Sequence, residues 1–155
     1  MAEALSDRNY IPVVKELLSV IPEEEQYRVF SSPETEISPE FMGFVTYYKP
    51  FADLIPEDWT VIDFGAAHNP QAYLFKDHKR YIAVEPDRDI EMFKPDNCDI
   101  YRCTTKEFIE EHLGELASDP KVFAICSYVP NWHGQDSIEM VKSHFRCVFT
   151  YFPVH

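Results

Sequence analysis

The sequence predicts an α/β domain: a mainly parallel five-stranded sheet between two layers of helices, preceded by helices at the N-terminus. Three observations predict it. Short β-branched and aromatic runs alternate with segments of helical periodicity. The runs are continuously apolar, as in strands buried on both faces. And 45% of the 155 residues are hydrophobic, including 12 Phe, 9 Tyr and 2 Trp, enough for a core of one ordinary domain.

Ser6–Ile21 places Ile11, Val14, Leu17, Leu18 and Ile21 three or four residues apart, which predicts an amphipathic helix. Ser6 or Asp7 is its N-cap, and Pro22 follows its end. Residues 23–39 are acidic and contain Pro and Ser, and are read as an exposed connection. Phe41–Ile55 repeats the helical pattern through Phe44, Val45, Tyr48 and Phe51, with Pro50 predicting a kink or two shorter helices. Together, residues 1–58 form a helical cap on an α/β core spanning 59–155.

The core opens with the strand WTVIDF (Trp59–Phe64), a loop over Gly65–Asn69 and a helix starting at Pro70–Phe75. RYIAV (Arg80–Val84) is the second strand and Asp99–Cys103 a weaker third. A helix over Thr105–Leu116 follows, with Thr104 or Thr105 as cap. Lys121–Ser127 is the fourth strand, Ser137–Phe145 a short helix and Arg146–Phe152 the fifth strand. No internal repeat or low-complexity tract interrupts this order.

Charge and cysteine usage narrow the function. Acids outnumber bases 27 to 14, for a formal charge of −13, with no basic run. Replacing counterions on phosphates needs Lys and Arg, so tight binding to nucleic acid or an anionic membrane is disfavoured, and a neutral or cationic substrate or a basic protein suits the field. Cys98, Cys103, Cys126 and Cys147 form no C-x-x-C pair and are read as free thiols. Without a signal peptide or an apolar run near 20 residues, the chain is expected to be soluble and cytoplasmic. The histidines lack metal-ligand spacing, so no metal is expected, and no G-x-S-x-G, P-loop or G-x-G-x-x-G motif occurs.

In open parallel sheets ligands sit beyond the carboxyl ends of the strands, where strand order reverses. The residues in question are Asp63–Asn69, Glu85–Asp87, Thr104–Thr105 and Ser127–Trp132. Gly65 supplies a tight turn, and Ala66 and Ala67 keep the loop low. Glu85 follows Asp63 by 22 positions, the spacing at which an acid ending the second strand accepts hydrogen bonds from ribose hydroxyls; it also repels a 2′-phosphate. Asn69 and Gln71 either bind a ligand carboxylate or cap a helix.

The run VIDFGAAHNPQAYLF followed by YIAVEPD resembles the first two signature motifs of class I S-adenosylmethionine-dependent methyltransferases, a Rossmann-like family, over roughly residues 59–152. The resemblance implies S-adenosylmethionine as cofactor. Asp63 and Gly65 would line its methionine side and Glu85 would hold its ribose, with Ala66, Ala67, Asn69, Thr104 and Ser127 completing the cofactor set. FAICSYVPNW (Phe123–Trp132) takes the place of the motif that faces the substrate, so Tyr128, Asn131 and Trp132 are substrate candidates. If a base is used, His68, Tyr128 and His133 are the candidates. The acceptor would be a small molecule or a protein side chain.

The sequence also departs from the family. Its loop has one glycine where two or three are usual, Ser127 stands where an acid or Asn usually begins the fourth motif, and the final hairpin is expected to be missing. These departures support an alternative, a methyltransferase-shaped module without turnover that binds an adenosine ligand or a protein. A nicotinamide or other nucleotide binder is a third reading. The open sheet edge would be covered by a second copy in a homodimer.

Overall fold

The computed structural model describes residues 16, 17, 19–24, 39–116, 118–126 and 134–149. Helix α1 spans Pro39–Leu54, followed by β1 (Thr60–Phe64), a 3₁₀ helix (Pro70–Phe75), β2 (Arg80–Val84) and β3 (Cys98–Tyr101). Helix α2 (Thr105–Leu116), β4 (Val122–Cys126), helix α3 (Gly134–His144) and β5 (Arg146–Phe149) complete the order.

The strands make one sheet in the order β3-β2-β1-β4-β5, every neighbouring pair parallel. Strand β1 is central. Its register sets Asp63 beside Ala83 of β2 and Ile125 of β4, and Phe64 beside Val84 and Cys126. The chain winds outward from β1 through β2 to β3, then crosses to the other side for β4. The order therefore reverses between β1 and β4, at whose carboxyl ends a ligand crevice belongs. This is the Rossmann-like α/β architecture expected from the alternation of apolar runs and helical periods.

Successive side chains of a strand point to opposite faces, and both faces of this sheet are covered. On one, Val61, Tyr81, Ala83 and Ile125 pack against Phe44, Tyr48 and Ile55, which come from α1 and the turn after it, and against Ala72 and Phe75 of the 3₁₀ helix. On the other, Ile62, Phe64, Ile82, Val84 and Ala124 pack against Phe108 and Ile109 of α2 and Val141 of α3. Phe64 and Phe108 meet edge to face, 5.8 Å between centroids. A satellite cluster joins Leu17 and Ile21 to Phe41, Val45, Tyr73 and Phe93.

Two local expectations change. Helix α1 is not divided at Pro50 but continues to Leu54. Pro50 is exposed, and the Lys49–Asp53 pair (2.6 Å) spans it while Phe44 and Tyr48 anchor the preceding turns in the core. The segment after Asn69 winds as a 3₁₀ helix, with Pro70 in its first turn. Thr104 caps α2 as the sequence suggests: its Oγ1 accepts the Glu107 N–H (3.1 Å), and Glu107 Oε1 accepts the Thr104 N–H (2.9 Å). This is a reciprocal capping box. The four cysteines are free. Among the described residues no helix is long and apolar enough to cross a membrane.

Candidate functional site

Asp63 is the penultimate residue of the central strand. Alternation along β1 sends Ile62 and Phe64 toward α2 and α3, and therefore sends Asp63 toward α1 and the 3₁₀ helix. There it is fully buried. Three neutral side chains donate to it: Tyr48 Oη to Oδ1 at 3.0 Å, Gln71 Nε2 to Oδ2 at 2.8 Å, and Tyr81 Oη to Oδ2. Burial pushes the carboxyl up to about 6; the bonds from Tyr81, Gln71 and Tyr48 pull it back, and the charge on Glu85 raises it further. Tyr81, buried against this carboxylate, is itself driven well above the ordinary phenol range.

Glu85 continues β2 one residue past Val84, on the same face as Tyr81 and Ala83. Its N–H bonds to the Tyr101 carbonyl (3.0 Å). Glu85 as a whole is 6% exposed. Oε1 accepts the Ala67 N–H at 2.9 Å and Oε2 accepts the Asp87 N–H at 3.0 Å. The two strand-end acids thus occupy one face of adjacent strands, close enough for one charge to shift the other's titration.

Between them runs the loop after β1. Gly65 N and Ala66 N both reach back to the Val84 carbonyl, at 2.8 and 3.3 Å. Residues 65, 67 and 69 all have left-handed backbone, with φ of 80°, 55° and 67°. Only the first is glycine. Asn tolerates this region; Ala does so at a cost on the order of 1 kcal/mol. The loop is held by its neighbours. Asn69 Nδ2 donates to the Phe93 carbonyl (3.0 Å) and contacts Cys98 Sγ (3.5 Å), and Phe93 N–H donates to the His68 carbonyl (2.9 Å). Arg102 braces the facing segment, donating to the carbonyls of Asp87 (2.7 Å) and Ile90 (2.8 Å).

Asn69 and Gln71 do not cap the 3₁₀ helix. Asn69 is its N-cap residue, yet its side chain makes no capping bond. Gln71 turns inward to Asp63 and to the Ala66 carbonyl (3.1 Å). Both residues are fully buried, and Asn69 Oδ1 and Gln71 Oε1 are left without a hydrogen-bond partner. Buried acceptors without donors are uncommon in folded proteins and mark a place where a donor belongs.

The structure therefore brings together Asp63, Gly65, Ala66, Ala67, Asn69 and Glu85. Thr104 follows the edge strand β3, and its hydroxyl is engaged in the α2 cap. His68 is exposed at the loop, its Nδ1 3.1 Å from the Glu91 carbonyl oxygen. Ser127, Tyr128, Asn131, Trp132 and His133 fall outside the described residues. Four contributors escaped the sequence reading: Tyr48, Tyr81, Arg102 and the Phe93 backbone. Tyr48 and Tyr81 carried one signal, a phenol at a core position, since a buried hydroxyl needs a partner.

The same architecture occurs in a solved structure from Anaeromyxobacter dehalogenans whose name reads "putative type II methyltransferase". The two superpose with a TM-score of 0.50 and 14% identity over 68% of this chain. This chain spans 45% of that structure's length. At such identity the likeness speaks for the fold alone: a Rossmann-like α/β sheet. No protein-family model and no curated protein matches the sequence.

Proposed function

We propose that this domain binds S-adenosylmethionine in the crevice above Gly65 and directs methyl transfer to a small-molecule or protein acceptor. The observation that carries this reading is the pairing of Asp63 and Glu85. They sit on one face of adjacent parallel strands, beside the reversal of strand order, and the Gly65 turn connects them.

The chemistry of the residues fits such a cofactor. Glu85 offers an acceptor for hydroxyl groups, and the buried Asp63, with the unpartnered oxygens of Asn69 and Gln71, offers a negative field for a sulfonium. Glu85 would hold the ribose and Gly65 would line the methionine side, with the buried Asp63 beneath it. When bound, the cofactor supplies a methyl group on a sulfonium, which carries its own leaving group. The protein's part is then to orient the acceptor in line with that methyl and to exclude water. Tyr128, Asn131 and Trp132 are the residues assigned to the acceptor, and His68, Tyr128 or His133 would take its proton where one is released. An excess of thirteen negative charges favours a neutral or cationic acceptor over a nucleic acid.

One observation favours a second reading, a module that binds without turnover. Both Glu85 oxygens already accept main-chain N–H groups, and the residue is buried. Calorimetric titration of the whole chain with S-adenosylmethionine and S-adenosylhomocysteine, with NAD as control, separates the possibilities. Binding of the adenosyl pair but not NAD, abolished in Glu85→Ala, is the expected result. Binding without transfer of labelled methyl to any acceptor would favour the module. No adenosyl binding at millimolar ligand would overturn the assignment.

A further inference from the structure

Asp63 is a fully buried carboxylate whose hydrogen bonds all come from neutral groups. The groups around it are Tyr48 from α1, Gln71 from the 3₁₀ helix, Tyr81 and Glu85 from β2 and Cys98 from β3, with Cys126 of β4 behind it on the opposite face of the sheet. None carries a positive charge. Burial raises the Tyr81, Cys98 and Cys126 acids above their ordinary ranges, so they stay neutral between pH 5 and 8. Glu85 is bonded by backbone N–H groups rather than by a Lys or Arg. The unpartnered Gln71 Oε1 belongs to the carboxamide that donates to Asp63, and the unpartnered Asn69 Oδ1 lies two residues earlier in the chain. Buried charges are ordinarily paired. Among the described residues, a surplus of negative charge and acceptors is maintained here with no cation bonded to it.

We propose that Asp63 makes the crevice read ligand charge, so that it prefers the cationic sulfonium cofactor to the neutral thioether left after methyl transfer. This rests on the adenosyl reading above and adds a direction to it. Asp63 has no exposed surface, so it acts through its field and is a specificity-determining residue rather than one that touches the ligand. Water and salt screen little across a buried path, so one unit of charge is felt strongly there. The two ligands share ribose, adenine, ammonium and carboxylate. They differ by the methyl and its positive charge, and losing that charge would weaken the product's hold and let it leave unaided.

The test is calorimetry of S-adenosylmethionine and S-adenosylhomocysteine on the whole chain at pH 7.5 and pH 5. The methylated ligand is expected to bind at least about tenfold more tightly at pH 7.5. As pH falls to 5 and Asp63 takes up a proton, the ratio is expected to shrink at least about threefold. Asp63→Asn, which keeps an oxygen for Gln71 and Tyr81 and offers an N–H to Tyr48, should hold the ratio at its low value at both pH values. A purely structural Asp63 would lower both affinities together and leave the ratio unchanged; that result, or a ratio independent of pH, overturns the role of Asp63. Equal or tighter binding of the thioether at pH 7.5 overturns the charge preference and leaves the adenosyl site standing. If neither ligand binds, both proposals fail.

Discussion

The two faces of the sheet are built to different ends. Toward α2 and α3, strands β1 and β2 present Ile62, Phe64, Ile82 and Val84 to a cluster of apolar and aromatic side chains, with no buried charge among its described residues. Toward α1 and the 3₁₀ helix, the same strands present Val61, Tyr81 and Ala83, then Asp63 and Glu85 at their carboxyl ends. One face is an ordinary hydrophobic interior. The other begins as one and ends in a buried carboxylate ringed by two tyrosines and a glutamine. An ionised group in that position costs stability, and that cost is the physical reason for proposing the site at this strand end rather than on the apolar face.

The largest expected effect lies on the apolar face. Phe108 is buried against Phe64 and Tyr101, at 5.8 and 5.2 Å between centroids. Phe108→Ala leaves a cavity between α2 and the sheet and should destabilise by about 3–5 kcal/mol. Urea unfolding measures it. Because this face carries no ligand group, adenosyl affinity in the folded fraction should not change. A large loss of affinity with stability intact would erase the division between the two faces.

On the polar face the sign depends on what replaces the acid. Asp63→Ala strands three buried donors and should cost about 2–4 kcal/mol. Asp63→Asn keeps partners for all three and removes the charge, so it should raise stability at pH 7.5 by about 1–3 kcal/mol. The pH dependence follows from the raised carboxyl, near 6 when folded against about 3.9 in an unfolded chain. The folded state binds this proton more tightly. The associated stability is complete below about pH 4 and is lost as pH rises through 6, on the order of 3 kcal/mol in all. Subtracting the Asp63→Asn stability curve from that of the native chain should reveal this fall between pH 4 and 6. A flat difference would mean that the carboxylate is not desolvated as its burial requires.

The two faces were unequally legible in the sequence. Continuous apolar runs mark β1, β2 and β4 because both faces of those strands are covered, and the alternation with helical periods dictates parallel pairing. The acids at 63 and 85 were visible from their place after such runs. What surrounds them was not. Tyr48 reaches Asp63 from a helix fifteen residues earlier, where the periodic pattern marks it only as core. Gln71 is polar and follows a proline, which suggests a cap or a ligand contact; only the fold shows it turned inward to Asp63. Nor does spacing reveal that Ala67 and Asn69 share the left-handed backbone of Gly65, since propensity alone argues against it for alanine.

That loop gives the smallest expected effect and the sharpest contrast. Ala67 and Asn69 have nearly the same φ, 55° and 67°, so a backbone argument alone would make glycine welcome at both. The side chains decide otherwise. Ala67 contributes its N–H to Glu85 Oε1, and glycine would keep that bond while relieving Cβ. Part of the relief is offset by the greater freedom of glycine in the unfolded chain, leaving about 0.5–1 kcal/mol of stabilisation for Ala67→Gly. Asn69 contributes a fully buried carboxamide that bonds the Phe93 carbonyl. Asn69→Gly removes that donor from a buried acceptor and should destabilise by about 1–2 kcal/mol. Thermal unfolding of the two variants should therefore shift in opposite directions. A shift in the same direction would mean that backbone strain, not the bond from Asn69 to the segment after β2, sets the shape of the loop above the two acids.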